Sequence, residues 1–260
     1  MNILNVEKVS KTFGEKVLLD KVTLGINKGD KVGVIGVNGT GKSTLLKIIA
    51  GIEEPDEGNV IKGRNVTVTY LAQSPDHAKD ETVLSYVMRG KANASEAKAK
   101  EILNKLGIGA FDASMDMLSG GQKKRVALAK ALVEPTEVLI LDEPTAGLDP
   151  KGRDDILECI KQLREETGIT VILVSHSMED VARYVSRIMV MDDGVLKYDD
   201  TPRNVFAHHK ELEHIGLAAP QVTYIMNDLI AAGIDVNPDA ITVEEARDNI
   251  LKHFNVINNR

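Results

Sequence analysis

A glycine-rich stretch with a single lysine, residues 36–44, carries the clearest chemical signal in the chain. It reads G-V-N-G-T-G-K-S-T and fits G-x-x-x-x-G-K-[ST], the pattern of a phosphate-binding P-loop. Backbone N–H groups in such a loop form a nest for phosphate oxygens at a helix N-terminus. We expect Lys42 to reach the β- and γ-phosphates and Ser43 to complete a Mg²⁺ site. The predicted nucleotide contacts are Gly36, Asn38, Gly39, Thr40, Gly41, Lys42, Ser43 and Thr44.

The segments on either side of this loop predict how it is positioned. Residues 31–35, Lys-Val-Gly-Val-Ile, are typical of a buried strand, and residues 45–49, Leu-Leu-Lys-Ile-Ile, of a helix start. A strand, a loop and a helix in this order are the context that the pattern requires. The alternative is a purely structural glycine-rich turn, which this context disfavours.

Polar residues also follow three other predicted strands. The strand at residues 65–71 leads to Gln73, the apolar run 137–141 leads to Asp142 and Glu143, and the run 169–174 leads to His176. Active sites of open α/β sheets lie at the carboxyl ends of the strands. Upstream of the P-loop, Phe13 is one of four phenylalanines; it could stack on a base or pack at a strand edge, and the two readings stay open at this point.

The composition limits the function classes. With 260 residues, 43% hydrophobic and 27% charged, the chain predicts a soluble globular protein of one or two domains. A net charge of −7 argues against broad nucleic-acid binding, so no direct DNA binding is expected. The chain contains no apolar run near the ~20 residues that span a bilayer and no signal peptide. We therefore expect a cytoplasmic protein whose membrane connection, if any, comes through a partner.

The remaining segments are mostly helical. Residues 82–132 predict helices, and within them the segment L-S-G-G-Q, residues 118–122, precedes an alanine- and leucine-rich helix. A further helix is predicted from Lys151 to Thr167, and a hairpin with an Asp-Gly turn at residues 188–198. The tail from Thr201 onward is helical and has no phosphate-binding signal.

Taken in order, these motifs resemble those of the ATP-binding cassette (ABC) ATPases over residues 2–205. The resemblance rests on the P-loop, Gln73, the L-S-G-G-Q signature, the strand ending in Asp142-Glu143, and His176. It implies an α/β fold of the P-loop NTPase class, with a mixed sheet, a small antiparallel β subdomain and a helical signature subdomain at about residues 74–132. Residues 206–260 then form a helical C-terminal extension for packing or dimerisation.

The resemblance also implies a Mg-dependent hydrolysis of ATP to ADP and phosphate. Asp142, with Ser43 and Gln73, would hold Mg²⁺, and Glu143 would act as general base or position the water. His176 would contact the γ-phosphate, and Phe13 would stack on adenine. The implied catalytic residues are Glu143, His176, Gln73 and Lys42.

The same resemblance implies a dimer. Ser119, Gly120, Gly121 and Gln122 would face the γ-phosphate bound to a second copy of the domain, and Asp149 would lie across that interface. Because one chain has one P-loop and one signature, we expect a second ATPase domain, as homodimer or heterodimer, to complete each site.

Two branches of the family are similar to different parts of the chain. Residues 1–143 resemble the first cassette of ABC-F proteins, which are soluble ribosome-associated factors. Residues 142–260 resemble the ATPase subunit of energy-coupling-factor (ECF) vitamin importers. This division suggests a chimera, natural or engineered, and a divergent importer ATPase is the alternative. The first functional hypothesis is an importer ATPase held at the cytoplasmic membrane face by a transmembrane coupling subunit. The others are an ABC-F-like factor with the ribosome as partner and a chimeric ATPase without a native partner.

Overall fold

Two β-sheets and a shell of helices form the computed structural model, which describes residues 1–73 and 76–258. The strands within those residues are β1 (Asn2–Phe13), β2 (Lys16–Asn27), β3 (Lys31–Ile35), β4 (Glu57–Lys62), β5 (Val68–Leu71), β6 (Val138–Asp142), β7 (Thr170–Val174), β8 (Arg187–Asp192) and β9 (Val195–Asp200). The α-helices are α1 (Lys42–Ala50), α2 (Val83–Met88), α3 (Glu96–Lys105), α4 (Gly120–Leu132), α5 (Pro150–Thr167), α6 (Met178–Tyr184), α7 (Pro202–Ala207), α8 (His209–His214), α9 (Gln221–Ala231) and α10 (Val243–Asn258). Ser74 and Pro75, at the predicted start of the helical subdomain, and residues 259–260 of the predicted extension lie outside the described residues.

The larger sheet has the strand order β5–β6–β7–β3–β8–β9. Its first five strands are parallel, and β9 pairs with β8 in the antiparallel direction. Strands β6 and β7 are buried along their whole length, as their continuous apolar runs predict for strands covered on both faces. Because parallel strands end at the same edge, the residues that follow β3, β5, β6 and β7 are brought together there.

The smaller sheet, of order β2–β1–β4, is antiparallel. Strand β2 runs without a break from Lys16 to Asn27, and β1 continues to Phe13 across several irregularities in its pairing with β2. Strand β4 was not predicted, because nearly all its side chains are exposed and show no apolar alternation. The predicted class, an α/β fold with a mixed sheet and a small antiparallel sheet, is confirmed.

Helices α2, α3 and α4 form a helical layer that packs against α5 and the larger sheet. Their buried residues share one apolar cluster with sheet residues such as Leu139 and Leu173. This layer carries the signature segment at the start of α4. Its position relative to the sheet is therefore fixed by a common core.

The C-terminal helices cover the sheet beside β3 and β8. Phe206 is fully buried in a cluster that also contains Ile35 and Val190. A Cβ atom at Gly216 would lie 3.1 Å from Cγ1 of Val37, so the extension also contacts the P-loop. Across the described ranges, no helix combines the length and the apolar character needed to cross a membrane.

Candidate active site

The P-loop follows β3 directly and leads into α1, as predicted. Two of its glycines lie against neighbouring backbone. A Cβ atom at Gly36 would lie 2.8 Å from Thr40 Oγ1 and would also meet the carbonyl oxygen of Met191. At Gly41, where φ is +90°, a Cβ atom would meet the carbonyl oxygen of Leu18 and lie 2.8 Å from the Leu19 side chain. The loop can therefore close over a phosphate only with glycine at these two positions.

The Lys42 ammonium group lies inside this loop. Its Nζ donates hydrogen bonds to the carbonyl oxygens of Gly36, at 2.7 Å, and Val37, at 2.9 Å. Burial lowers the pKa of Lys42, and the negative charges of Glu143 and Asp142 oppose that shift. The loop thus places a cation next to its own backbone amides. The other predicted contacts surround it: Asn38 and Gly39 are exposed, Thr40 is buried and donates to the Val37 carbonyl, and Ser43 and Thr44 are half-buried.

Asp142, at the end of β6, is only 7% exposed and is held through both carboxylate oxygens. Ser43 Oγ donates to Oδ1 at 3.3 Å, and the Tyr70 hydroxyl donates to Oδ2 at 2.7 Å. Burial and this hydrogen bond to a carboxylate both raise the pKa of Tyr70, so its phenol stays protonated as a donor. The sequence reasoning predicted the role of Ser43 but did not consider Tyr70.

Replacing Tyr70 with phenylalanine removes one donor from a buried carboxylate. Hydrogen bonds to charged groups contribute roughly 1.5–3 kcal/mol, so we expect Tyr70→Phe to lower the free energy of unfolding by about 2 kcal/mol. Urea unfolding at pH 7 measures this change. Tyr198→Phe is the matched control, because the Tyr198 hydroxyl has no hydrogen-bond partner in the described part of the chain. Equal losses in the two variants would show that the bond to Asp142 contributes nothing specific.

Glu143 follows β6 and contacts side chains that follow the two neighbouring strands, β5 and β7. Its Oε2 accepts a hydrogen bond from Gln73 Nε2 at 3.1 Å, and its Oε1 lies 2.9 Å from His176 Nε2. Glu143 and His176 border a cleft of about 470 Å³ that is also lined by Ser177 and Glu179. The backbone of Glu143 is left-handed, with φ +49°, a costly conformation for a residue other than glycine. Glu143 therefore contacts two other predicted catalytic side chains, and its own backbone is strained.

Lys124 on α4 is a further residue of this site that sequence reasoning missed. Its Nζ donates to the carbonyl oxygens of Gln73, at 3.0 Å, and Glu143, at 3.1 Å. Burial lowers the pKa of Lys124, and the charge of Glu143 opposes that shift. A signal was present, because Lys124 precedes Ala127, Leu128 and Ala131 at the spacing of a buried helical stripe.

The signature segment lies at the N-terminus of α4, where Ser119 and Gln122 form a capping box. Ser119 Oγ accepts from the Gln122 N–H at 3.3 Å, and Gln122 Oε1 accepts from the Ser119 N–H at 2.9 Å. Asp149 caps α5 through a single hydrogen bond, which its Oδ1 accepts from the Gly152 N–H at 3.1 Å. In residues 1–73 and 76–258, no hydrogen bond joins residues 119–122 to the P-loop. Their predicted contact with a nucleotide on a second chain stays a prediction.

Phe13 ends β1 and is 76% exposed. That exposure rules out the strand-edge packing that the sequence left open. The hairpin it belongs to approaches the P-loop, since the Lys16 ammonium nitrogen is 3.2 Å from the position a Cβ atom would take at Gly39. Stacking of Phe13 on a base stays a prediction.

Comparison with known proteins agrees with this geometry. A family model described as "ABC transporter" matches residues 19–146. The energy-coupling factor transporter ATP-binding protein EcfA2 of Acetivibrio thermocellus is 41% identical over 92% of this chain and 92% of its own. Among solved structures, cbiO1 from Clostridium perfringens, part of the ABC transporter complex cbiONQ, superposes with a TM-score of 0.72 at 30% identity, covering 87% of this chain and 99% of that one. The dimeric structure of the bacterial ABC transporter cassette MJ0796 gives 0.69 at 30% identity, covering 77% and 99%.

The fold and the P-loop site, together with these similarities, define an ATP-binding cassette: the chain belongs to the ABC transporter ATPase family, whose activity is ATP hydrolysis. Within that family it closely matches the EcfA2 subunits of energy-coupling-factor transporters. The ABC-F resemblance and the chimera hypothesis find no support. A match that covers 92% of the chain includes residues on both sides of the supposed junction near Asp142.

Proposed function

We propose that this chain is the ATP-hydrolysing subunit of an energy-coupling-factor importer, acting at the cytoplasmic face of a membrane. The observation that carries the proposal is the contact of the Glu143 carboxylate with both Gln73 and His176, at the sheet edge where the P-loop opens. The similarity to EcfA2 along nearly the whole chain supports the importer role.

In the proposed reaction the P-loop amides and Lys42 hold the phosphates of ATP, and Phe13 stacks on the adenine. Glu143 orients the attacking water and accepts its proton, which is the task of a positioned carboxylate. His176 contacts the γ-phosphate from the side of Glu143. Gln73 senses the partner domain. Catalysis in this arrangement comes from positioning and from electrostatic stabilisation of the transferred group.

The residues around Asp142 fit Mg²⁺. Ser43 Oγ and Asp142 Oδ1 lie 3.3 Å apart, and both are oxygen donors on the side of the P-loop. Mg²⁺ prefers such ligands and usually takes one or two carboxylates together with substrate phosphates and waters. Ser43, Asp142 and the amide oxygen of Gln73 would hold the ion, which supplies neutralisation of the phosphate charge. The Tyr70 hydrogen bond keeps the Asp142 carboxylate in one orientation.

We place the complete site between two chains. The signature residues 119–122 cap their own helix and have no hydrogen bond to the P-loop of the same chain in the described ranges, which supports a nucleotide contact across a dimer. The start of α4 is an N-terminus that favours an anion. The similar cassette MJ0796 is described as dimeric. Asp149 lies at the start of α5, and we assign it to the same interface; the second chain is an identical copy or a related ATPase.

We further propose a division of the chain into an ATP-binding domain, residues 1–205 with the helical subdomain at 74–132, and a C-terminal extension, residues 206–260. The extension has two tasks, packing on the sheet and pairing with the second chain. Large apolar side chains of α9 and α10 are exposed, which supports pairing through this face. They are Ile225 at 49%, Val243 at 66%, Leu251 at 52% and Phe254 at 50% exposure.

Affinity capture of the full-length, tagged chain from detergent-solubilised cells tests the importer role. We expect a polytopic membrane protein and an ATPase chain to copurify in stoichiometric amounts, because the chain is similar to an EcfA2 subunit along nearly its whole length. Parallel capture with the tag alone is the control. Retention of ribosomal proteins in place of membrane proteins would contradict the importer assignment and favour the ribosome-associated alternative.

A further inference from the structure

Lys124 occupies an unusual place in this site. It lies five residues after Ser119 on the helix that carries the signature, and only 9% of its surface is exposed. Its ammonium group bridges two loops that follow neighbouring strands, through the carbonyl oxygens of Gln73 and Glu143. These are the backbone groups of two residues whose side chains also contact each other. Lys124 therefore ties the signature helix to both loops at once.

A buried ammonium group is costly unless its donors are satisfied, so its presence here calls for a physical reason. The backbone of Glu143 offers one. Its left-handed conformation persists only where the surroundings enforce it, and its carbonyl oxygen is fixed by two donors, the Ala146 N–H at 3.1 Å and Lys124 Nζ at 3.1 Å. Removing Lys124 leaves this carbonyl with only the turn hydrogen bond.

We infer that Lys124 is a positioning residue for hydrolysis: by holding the carbonyl groups of Gln73 and Glu143, it fixes the Glu143 carboxylate and joins the signature helix rigidly to the hydrolysis site of the same chain. The inference rests on the proposed function for the role of Glu143. In the paired ATPase the signature touches the nucleotide of the second chain. Through Lys124, binding of the signature to the nucleotide in one composite site therefore affects the position of the Glu143 carboxylate in the other.

The test compares Lys124→Met with Lys123→Met in the full-length protein. Methionine keeps the length of the buried stem but donates no hydrogen bond. We expect Lys124→Met to lower kcat for ATP hydrolysis by about 10- to 100-fold, while KM for ATP changes by less than about twofold, because the nucleotide contacts are untouched. Lys123 neighbours it on the same helix and makes no hydrogen bond to either loop within the described ranges, so its variant should keep the parent kcat. Lys124→Gln, which retains N–H donors, should recover part of the loss.

We call the two hydrogen bonds from Lys124 to the Gln73 and Glu143 carbonyl groups the clamp. Amide hydrogen exchange of the nucleotide-free protein tests whether this clamp exists without a measurement of ATP hydrolysis. We expect the Ala146 amide, which bonds to the Glu143 carbonyl, to exchange about tenfold faster in Lys124→Met and at the parent rate in Lys123→Met. Unchanged exchange in Lys124→Met would overturn the clamp. A lower melting temperature with unchanged kcat below it would show a merely structural lysine. If the parent protein binds but does not hydrolyse ATP, the proposed function fails, and the exchange result still decides whether the clamp exists.

Discussion

Replacing Lys42 with methionine should reduce ATP affinity by roughly 10- to 100-fold and lower kcat by a further 10²- to 10³-fold. The first figure follows from the 1.5–3 kcal/mol typical of a charge-assisted hydrogen bond, and the second from the loss of one donor to a developing oxyanion. The Lys42 ammonium is the cation enclosed by the loop, within bonding distance of the Gly36 and Val37 carbonyls. Titration with a fluorescent ATP analogue and steady-state phosphate release measure the two effects separately.

Lys47→Met is the matched control for this variant. Lys47 lies in the last turn of the same helix, away from the loop, so its loss affects only the helix terminus. We expect its ATP affinity and kcat to stay within twofold of the parent. Unchanged nucleotide affinity in Lys42→Met, with a folded protein by circular dichroism, would refute the assignment of the P-loop as the phosphate site.

The sequence predicted those parts of the fold whose signal is local. The P-loop pattern, the apolar runs that became β6 and β7, and the helix predicted from Lys151 to Thr167, which is α5, all depend on residues close together in the chain. The Asp-Gly pair likewise predicted the turn between β8 and β9. Since parallel strands end at one edge, these local elements were enough to predict an active site there, whereas the roles of Gln73, Glu143 and His176 came from the family resemblance.

The parts that sequence reasoning missed depend on contacts between distant segments. Strand β4 is held by backbone pairing with β1 and has almost no buried side chain, so it left no alternating pattern. Tyr70 bonds to a residue 72 positions away, and Lys124 to carbonyls 51 and 19 positions away. A tyrosine in a strand or a lysine in a helix has no distinctive spacing that predicts such a bond. Only the buried stripe of α4 marked Lys124 as unusual.

The chimera hypothesis also came from local sequence similarity. The signature and P-loop segments were compared with one branch of the family and the later segments with another, although each covers only about ten residues. Segments that bind the same phosphates are constrained by the same chemistry in every branch of the family. Their sequences therefore distinguish poorly between the branches. A likeness over 92% of the chain averages over surfaces and core together, and it favours a single origin.

Replacing Glu143 with glutamine should abolish most hydrolysis and trap the ATP-bound dimer. Glutamine has the size of the glutamate side chain and takes the left-handed backbone at φ +49° at a similar cost. It cannot accept a proton from water. We therefore expect kcat to fall by about 10²- to 10⁴-fold with little change in ATP affinity. Because ATP is no longer consumed, it should hold two chains together by mass action. Size-exclusion chromatography with light scattering should show a shift from 28.3 kDa to twice that mass when ATP and Mg²⁺ are added.

Glu179→Gln separates this effect from a general loss of negative charge. Glu179 borders the same cleft and accepts a hydrogen bond from the Gln221 N–H at 3.4 Å, but it makes no hydrogen bond to Gln73 or His176 in the described residues. It should retain the parent kcat and elute with ATP as the parent does. A Glu143→Gln protein that binds ATP yet stays monomeric would refute a composite site formed by two identical copies, because the signature of a second copy would then have no role in holding the nucleotide. A Glu143→Gln protein with undiminished kcat would instead remove Glu143 from the chemistry and leave the dimer in place.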